Sequence, residues 1–135
     1  GTELTKAQIS QGADVVYAAA GGTGVGVLQA AADANILSIG GDANQNYMHP
    51  GQVLTSMLKR VDLAVYNAFS EGDGLTTGFN IMGLAQDGVG YALDEYNESL
   101  VSAEMVSKLE AEKAKIVNGQ IKVHDYMSDN TCPVK

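Results

Sequence analysis

The sequence carries one cysteine, Cys132, and no tryptophan. A single thiol excludes an intrachain disulfide and any metal centre built on several thiolates. The two histidines, His49 and His124, stand far apart without metal-ligand spacing, so no zinc site is expected. Basic residues are scarce: 8 Lys plus Arg face 16 Asp plus Glu, for a formal net charge of −8. A nucleic-acid surface needs a basic stripe, so no nucleic-acid partner is expected. No apolar run approaches the roughly 20 residues that cross a bilayer as a helix. No signal peptide is visible, and the opening Gly1-Thr2-Glu3-Leu4 reads as the middle of something longer. Catalytic patterns are missing too. There is no nucleophile elbow, no pair of His residues near carboxylates and no phosphate loop ending in Gly-Lys-Ser. Asp14, Asp33, Asp62 and Asp94 read as ordinary cap, end or face residues, so no catalytic residue is assigned.

What is present points to one globular domain with a modest core: 135 residues, 45% hydrophobic and 18% charged. Glycine is concentrated where it matters. Asp14–Tyr17 reads as a short buried strand, and Val25–Asp33 reads as a helix. Between them lie Gly21, Gly22, Thr23, Gly24 and Gly26. A strand, a glycine-rich turn and a helix N-terminus leave N–H groups pointing outward, with the helix dipole adding partial positive charge. Such a turn can hold a hydroxyl, carboxylate or phosphate. The same glycines also suit tight packing alone.

Helix Thr2–Gln11 precedes the first strand, with Thr2 as its cap and Gly12 as its stop. The glycine-rich helix ends near Asn35, and Ile36–Ile39 reads as a second strand. Alternation of helix and strand with short connections predicts a parallel α/β sheet. Asp42 then follows the second strand as the glycine turn follows the first. Ligands bind beyond the carboxyl ends of strands in open α/β sheets, so the two are expected to face one space. Asp42 and Asn44 suit turn residues bonding their own backbone as well. Val53–Leu58 is expected to be extended and Lys59–Phe69 helical, with Val61, Ala64, Val65, Ala68 and Phe69 on one face. Lys59, at that junction, is either solvated or aimed into a cleft. A loop over Tyr47–Gly51, a loop over Glu71–Gly78, a strand at Phe79–Leu84, a turn at Gln86–Gly90 and a short apolar piece from Tyr91 are expected. Ser102 caps a helix that Gly119 closes, with a stripe at Met105, Val106, Leu109, Ile116 and Val117. Its other face, Glu104, Lys108, Glu110, Glu112 and Lys115, reads as solvated. Ile121–Tyr126 reads as an edge strand, and the tail from Met127 as irregular.

Several segments occur together in one order: Gly12-Ala-Asp-Val-Val16, Ala19-Ala-Gly-Gly-Thr-Gly-Val-Gly-Val27, Gly41-Asp-Ala-Asn-Gln45, Val53-Leu-Thr-Ser-Met-Leu-Lys-Arg-Val-Asp62, Asp87-Gly-Val-Gly-Tyr-Ala92 and Ile116-Val-Asn-Gly-Gln-Ile-Lys-Val123. With them the chain resembles the C-terminal portion of the BMP-type (basic membrane protein) substrate-binding lipoproteins of bacterial ABC transporters. The ending His124–Asn130 is similar to α-proteobacterial members. The resemblance implies a type I periplasmic-binding-protein fold, a parallel sheet flanked by helices in two lobes that close on a ligand. Residues 1–135 would form mainly the C-terminal lobe plus crossover segments. It also implies a non-enzymatic solute-binding component without a cofactor, taking a purine nucleoside or related molecule to a permease. The setting would be the periplasm or the outer face of the cytoplasmic membrane, lipid-anchored as in relatives.

Carried onto this sequence, the resemblance gives Asp42 the ribose hydroxyls, since a carboxylate accepts strongly from a vicinal diol. Gly21, Gly22 and Thr23 would approach the ribose with N–H groups, and Lys59 would reach the ligand or pair with Asp42. Gly41 stands where the family usually has a β-branched residue, which predicts a looser strand end. The family's N-terminal pattern and lipid-anchoring cysteine do not occur here. A first lobe, in the same or another chain, is therefore an expected partner, and the isolated chain is expected to bind weakly or not at all. Two other functions fit the same residues. Asp42, about 20 residues beyond the glycine turn, imitates a dinucleotide-binding enzyme domain, although Gly22-Thr-Gly-Val-Gly26 has the wrong spacing for it. A sensory or interaction domain would keep ligand binding and drop transport.

Overall fold

Short β-branched and aromatic runs make the strands, and alanine-rich runs make the helix that covers them. In the computed structural model, which describes residues 1–133, the chain begins α1 (Thr2–Ser10), β1 (Val15–Tyr17), α2 (Gly24–Asp33), β2 (Leu37–Gly40). It continues β3 (Val53–Lys59), α3 (Val61–Glu71), β4 (Val89–Tyr91), α4 (Ala103–Val117) and α5 (Tyr126–Asp129). A 3₁₀ turn at Gly21–Thr23 leads into α2, and another at Asn46–Met48 lies between β2 and β3. The strands lie in the order β1-β2-β3-β4. The first three are parallel, with Val16 opposite Ser38 and Ile39 opposite Thr55. β4 runs antiparallel to β3, with Met57 opposite Tyr91. The expected α/β sheet is thus found, with an antiparallel fourth strand that makes it mixed.

Alternation along each strand sorts the two faces. Val16, Ser38 and Gly40 are buried, whereas Tyr17 and Ile39 are only partly covered. α2 covers the first face, with Leu28 and Ala31 fully buried and Val27 clustered with Val16 and Ala18. α1 packs on the outside of α2. The Thr2 hydroxyl donates to the Gly26 carbonyl at 3.2 Å, and Gly1 takes the cap position expected for Thr2. A hydroxyl spent between helices cannot also cap its own. α4 lies over the other face, where Val101, Met105 and Leu109 face Ile39, Leu54, Thr55 and Tyr91. Its cap is the expected one: Ser102 Oγ accepts from the Met105 N–H at 3.2 Å. Glu110 is not simply solvated, because the Tyr91 hydroxyl donates to it at 2.9 Å.

Two expected strands do not form. Residues 79–83 have no regular structure and Leu84 opens a 3₁₀ turn; the Phe79 and Ile81 side chains are exposed. Residues 79–83 pair with neither edge strand of the sheet, β1 or β4, so their backbone makes no ladder. Residues 121–125 are likewise irregular. There Asp125 accepts from the Met127 N–H at 3.0 Å, and this local bond starts α5 in place of a strand. The tail expected to be irregular from Met127 therefore opens on helix, and its last two residues lie outside the described ones. The expected apolar face of α3 forms but is uncovered: Val61, Val65 and Phe69 are exposed.

Leu28 is fully buried at the centre of the α2–sheet interface. Leu28→Ala is expected to cost about 2–5 kcal/mol, through lost transfer energy and the cavity left behind. Urea denaturation of the full-length gene product measures this.

Candidate functional site

Asp42 sits in a strained turn just beyond β2. Its φ is +70°, and the Ala43 N–H bonds the Gly41 carbonyl across it at 2.9 Å. A non-glycine residue rarely holds that hand of backbone unless its surroundings enforce it. Here they do. The Lys59 N–H donates to the Asp42 carbonyl oxygen at 3.0 Å. The Lys59 Nζ lies 2.7 Å from Asp42 Oδ1. Main chain and side chain of Lys59 therefore grip the same residue. Both side chains are about half exposed, so the pair is screened and adds little stability. Its effect is on orientation. The hydrogen bond and then the charge of Asp42 hold the Lys59 ammonium above the ordinary lysine range, with a small addition from the Tyr17 phenol.

The strand order brings the glycine turn to the same edge. Parallel pairing of β1, β2 and β3 sets their carboxyl ends side by side. Gly21–Thr23, Asp42 and Lys59 leave those three ends in turn. The first bond of the turn is Thr23 N–H to the Ala20 carbonyl at 3.2 Å. The Gly21 and Gly22 N–H groups come before it, on exposed residues. Gly21 has φ +52°, which favours glycine, but Gly22 does not, and no atom lies within 4 Å of where its Cβ would be. The fold itself does not require glycine at 22. Gly41 is different. A Cβ there would sit 2.9 Å from the Ala18 carbonyl oxygen, and its N–H donates to Gln45 Oε1 at 3.0 Å. The strand end expected to be loose is in fact drawn tightly against the residue after β1.

A buried polar network backs the Asp42 loop. The Gln45 N–H donates to Ser56 Oγ at 3.0 Å, and Ser56 Oγ donates to Asn46 Oδ1 at 2.8 Å. Asn44 and Asn46 each donate through Nδ2 to Asp94 Oδ2, at 2.7 and 3.1 Å. Asn44 also accepts the Asn46 N–H at 3.0 Å, the self-bonding turn role expected of it. Asp94 reads in the sequence as one of the ordinary cap, end or face carboxylates, and in the structure it does more. It lies 50 residues from Asn44, and no motif links the two. Tyr17 and Ser56 were missed as well, because only the assembled sheet sets them beside Lys59 and the Asp42 loop. Among the described residues no group of His, Cys, Asp and Glu is placed to hold a metal ion, and no helix is long and apolar enough to cross a membrane.

The α/β layer is similar to that of known solute-binding proteins. A solved ABC transporter solute-binding protein from Aeropyrum pernix K1 matches with a TM-score of 0.78 and 28% identity, over 91% of this chain and 43% of that one. Basic membrane protein D of Borreliella burgdorferi is 37% identical over 120 residues, covering 83% of this chain and 34% of the relative. A lipoprotein of Pyrococcus abyssi is 42% identical over 91 residues, covering 62% of this chain and 22% of the relative. Residues 1–126 match the family described as ABC transporter substrate-binding protein PnrA-like, and the chain belongs to that family. It spans about a third of the Borreliella relative and less than half of the solved neighbour.

A lysine whose folded pKa is raised contributes stability below the unfolded value and loses it as pH rises through the folded one. On the alkaline side, the Lys59–Asp42 pair is therefore expected to persist through neutral pH and to open above the ordinary lysine range. Nitrogen NMR of the Lys59 Nζ should show this late titration. Asp42→Asn should return it toward the ordinary range.

Proposed function

We propose that residues 1–135 are the C-terminal portion of a non-enzymatic solute-binding component of an ABC importer, taking a purine nucleoside or related small molecule between two lobes. The observation that carries this reading is the Asp42–Lys59 pair beside the Gly21–Thr23 turn, at the carboxyl ends of parallel strands. One Asp42 oxygen meets Lys59, and the carboxylate keeps acceptor capacity for a sugar diol. Gly22 supplies an exposed N–H with open space around its Cα, which lets a ligand come close to the backbone. A first lobe, from the same or another chain, completes the cleft and holds the base. The uncovered face of α3 supports that partner: Val61, Val65, Phe69 and, beyond the helix, Phe79 and Ile81 are exposed together. The relatives' lipoprotein names support a place on the outer face of the membrane, or in the periplasm, beside a permease.

Calorimetry of the full-length gene product with inosine, adenosine, guanosine, their free bases and NAD(H) tests the reading. Ribosides are expected to bind and free bases to bind more weakly. Asp42→Asn is expected to lower riboside affinity about 10- to 100-fold, the worth of a charged hydrogen bond. A folded protein that ignores every riboside overturns the nucleoside assignment, and a preference for NAD(H) transfers the site to the dinucleotide class.

Gly22→Ala separates ligand approach from folding. Its Cβ meets nothing within 4 Å, so the thermal midpoint should stay unchanged. Riboside affinity should fall, because the methyl group occupies the space the ligand needs.

A further inference from the structure

We propose that Asp94 is a positioning residue for Asp42, holding the loop after β2 in the form that presents the Asp42 carboxylate to its ligand. The inference rests on the reading of Asp42 as the sugar-binding acid. Beyond the Lys59 bonds to Asp42, side-chain bonds fix the loop from Gly41 to Asn46. Gly41 bonds Gln45, Gln45 bonds Ser56, and the Asn44 and Asn46 amides converge on Asp94 Oδ2. The first closes the loop on itself, and the second reaches only the strand beside it. The third reaches a separate segment, and that segment is itself anchored. The Asp94 N–H donates to Asn97 Oδ1 at 2.8 Å. Asn97 Nδ2 then donates to the Leu54 and Ala92 carbonyls at 2.8 and 3.1 Å, which lie on β3 and just past β4.

A simple turn role accounts for one Asp94 oxygen: Oδ1 accepts the Tyr96 N–H at 2.9 Å. It does not account for Oδ2, which serves two side chains of the distant loop. Asn46, Ser56 and Asn97 are fully buried, and no buried side-chain polar atom among the described residues lacks a partner. Such a network has few alternative arrangements, since breaking one bond strands a buried group. That rigidity is what the left-handed backbone at Asp42 needs. The Asn44 amide, then the Tyr96 N–H and the Asn46 amide, also hold the Asp94 carboxyl below the ordinary aspartate range against partial desolvation, so it is an ionised acceptor at neutral pH.

Two variants of the full-length protein test the assignment. Asp94→Asn removes the charge and leaves one acceptor oxygen where the carboxylate has two, so either the two Asn amides or the Tyr96 N–H loses its partner. Asn44→Ala, at an exposed position, removes the bond to Asp94 together with the acceptor of the Asn46 N–H and leaves the packed core untouched. Without any ligand, hydrogen exchange at the Ala43 and Lys59 amides should rise about tenfold or more in both variants, while the Leu28 amide keeps its protection. Unchanged exchange at Ala43 and Lys59, or an equal rise at Leu28, overturns the proposal. With ligand, both variants should lose about tenfold in affinity for inosine and nothing for 2′,3′-dideoxyinosine, which lacks the vicinal diol that Asp42 would accept from. Equal losses for the two ligands overturn it as well. If the unaltered protein binds neither, the nucleoside reading fails, and the exchange measurement alone decides the role of Asp94.

Discussion

The Lys59 N–H reaches from the end of β3 to the Asp42 carbonyl, 3.0 Å away, and the Lys59 ammonium closes on the Asp42 carboxylate at 2.7 Å. This double grip is possible only because β2 and β3 are parallel neighbours whose ends emerge side by side. Antiparallel strands would send the two residues to opposite edges. The same direction of pairing places the glycine turn after β1 at that edge. α2, packed through Leu28 and Ala31, holds those strands from one face. The site is thus a product of strand direction first and of side-chain chemistry second.

Local periodicity made the first half of the molecule readable. β-branched runs bounded by Gly12, the glycine turn and Asn35 marked β1, α2 and β2. Gly12 and Asn35 do adopt positive φ, at +96° and +54°. The pairing of Lys59 with Asp42 was legible only through family resemblance, since a lysine at a helix boundary reads equally well as solvated. The Asp94 network was not legible at all, because its members come together through folding across about fifty residues. Neither of the strands expected at 79–84 and 121–126 forms. Apolar alternation measures a wish to be half-buried, not the presence of an edge to pair with. Phe79 and Ile81 carry the pattern without the partner.

The core itself is unevenly spread. Leu28, Ala30, Ala31, Val27 and Val16 gather between α2 and the first strands, whereas α3 buries no residue. Exposed Val65, Tyr66 and Phe69 leave an apolar surface of α3 in water, which is costly. The chain therefore reads as one well-packed layer joined to an arm that keeps its apolar side for something else.

β3 divides its allegiance along its length. Val53, Thr55 and Ser56 pair with β2, and Met57, Leu58 and Lys59 pair with β4. The acid is therefore fastened to one half of the strand's neighbourhood and the amine to the other. The Lys59–Asp42 pair therefore ties the part of the sheet that pairs with β2 to the part that pairs with β4, across the point where β3 changes partner.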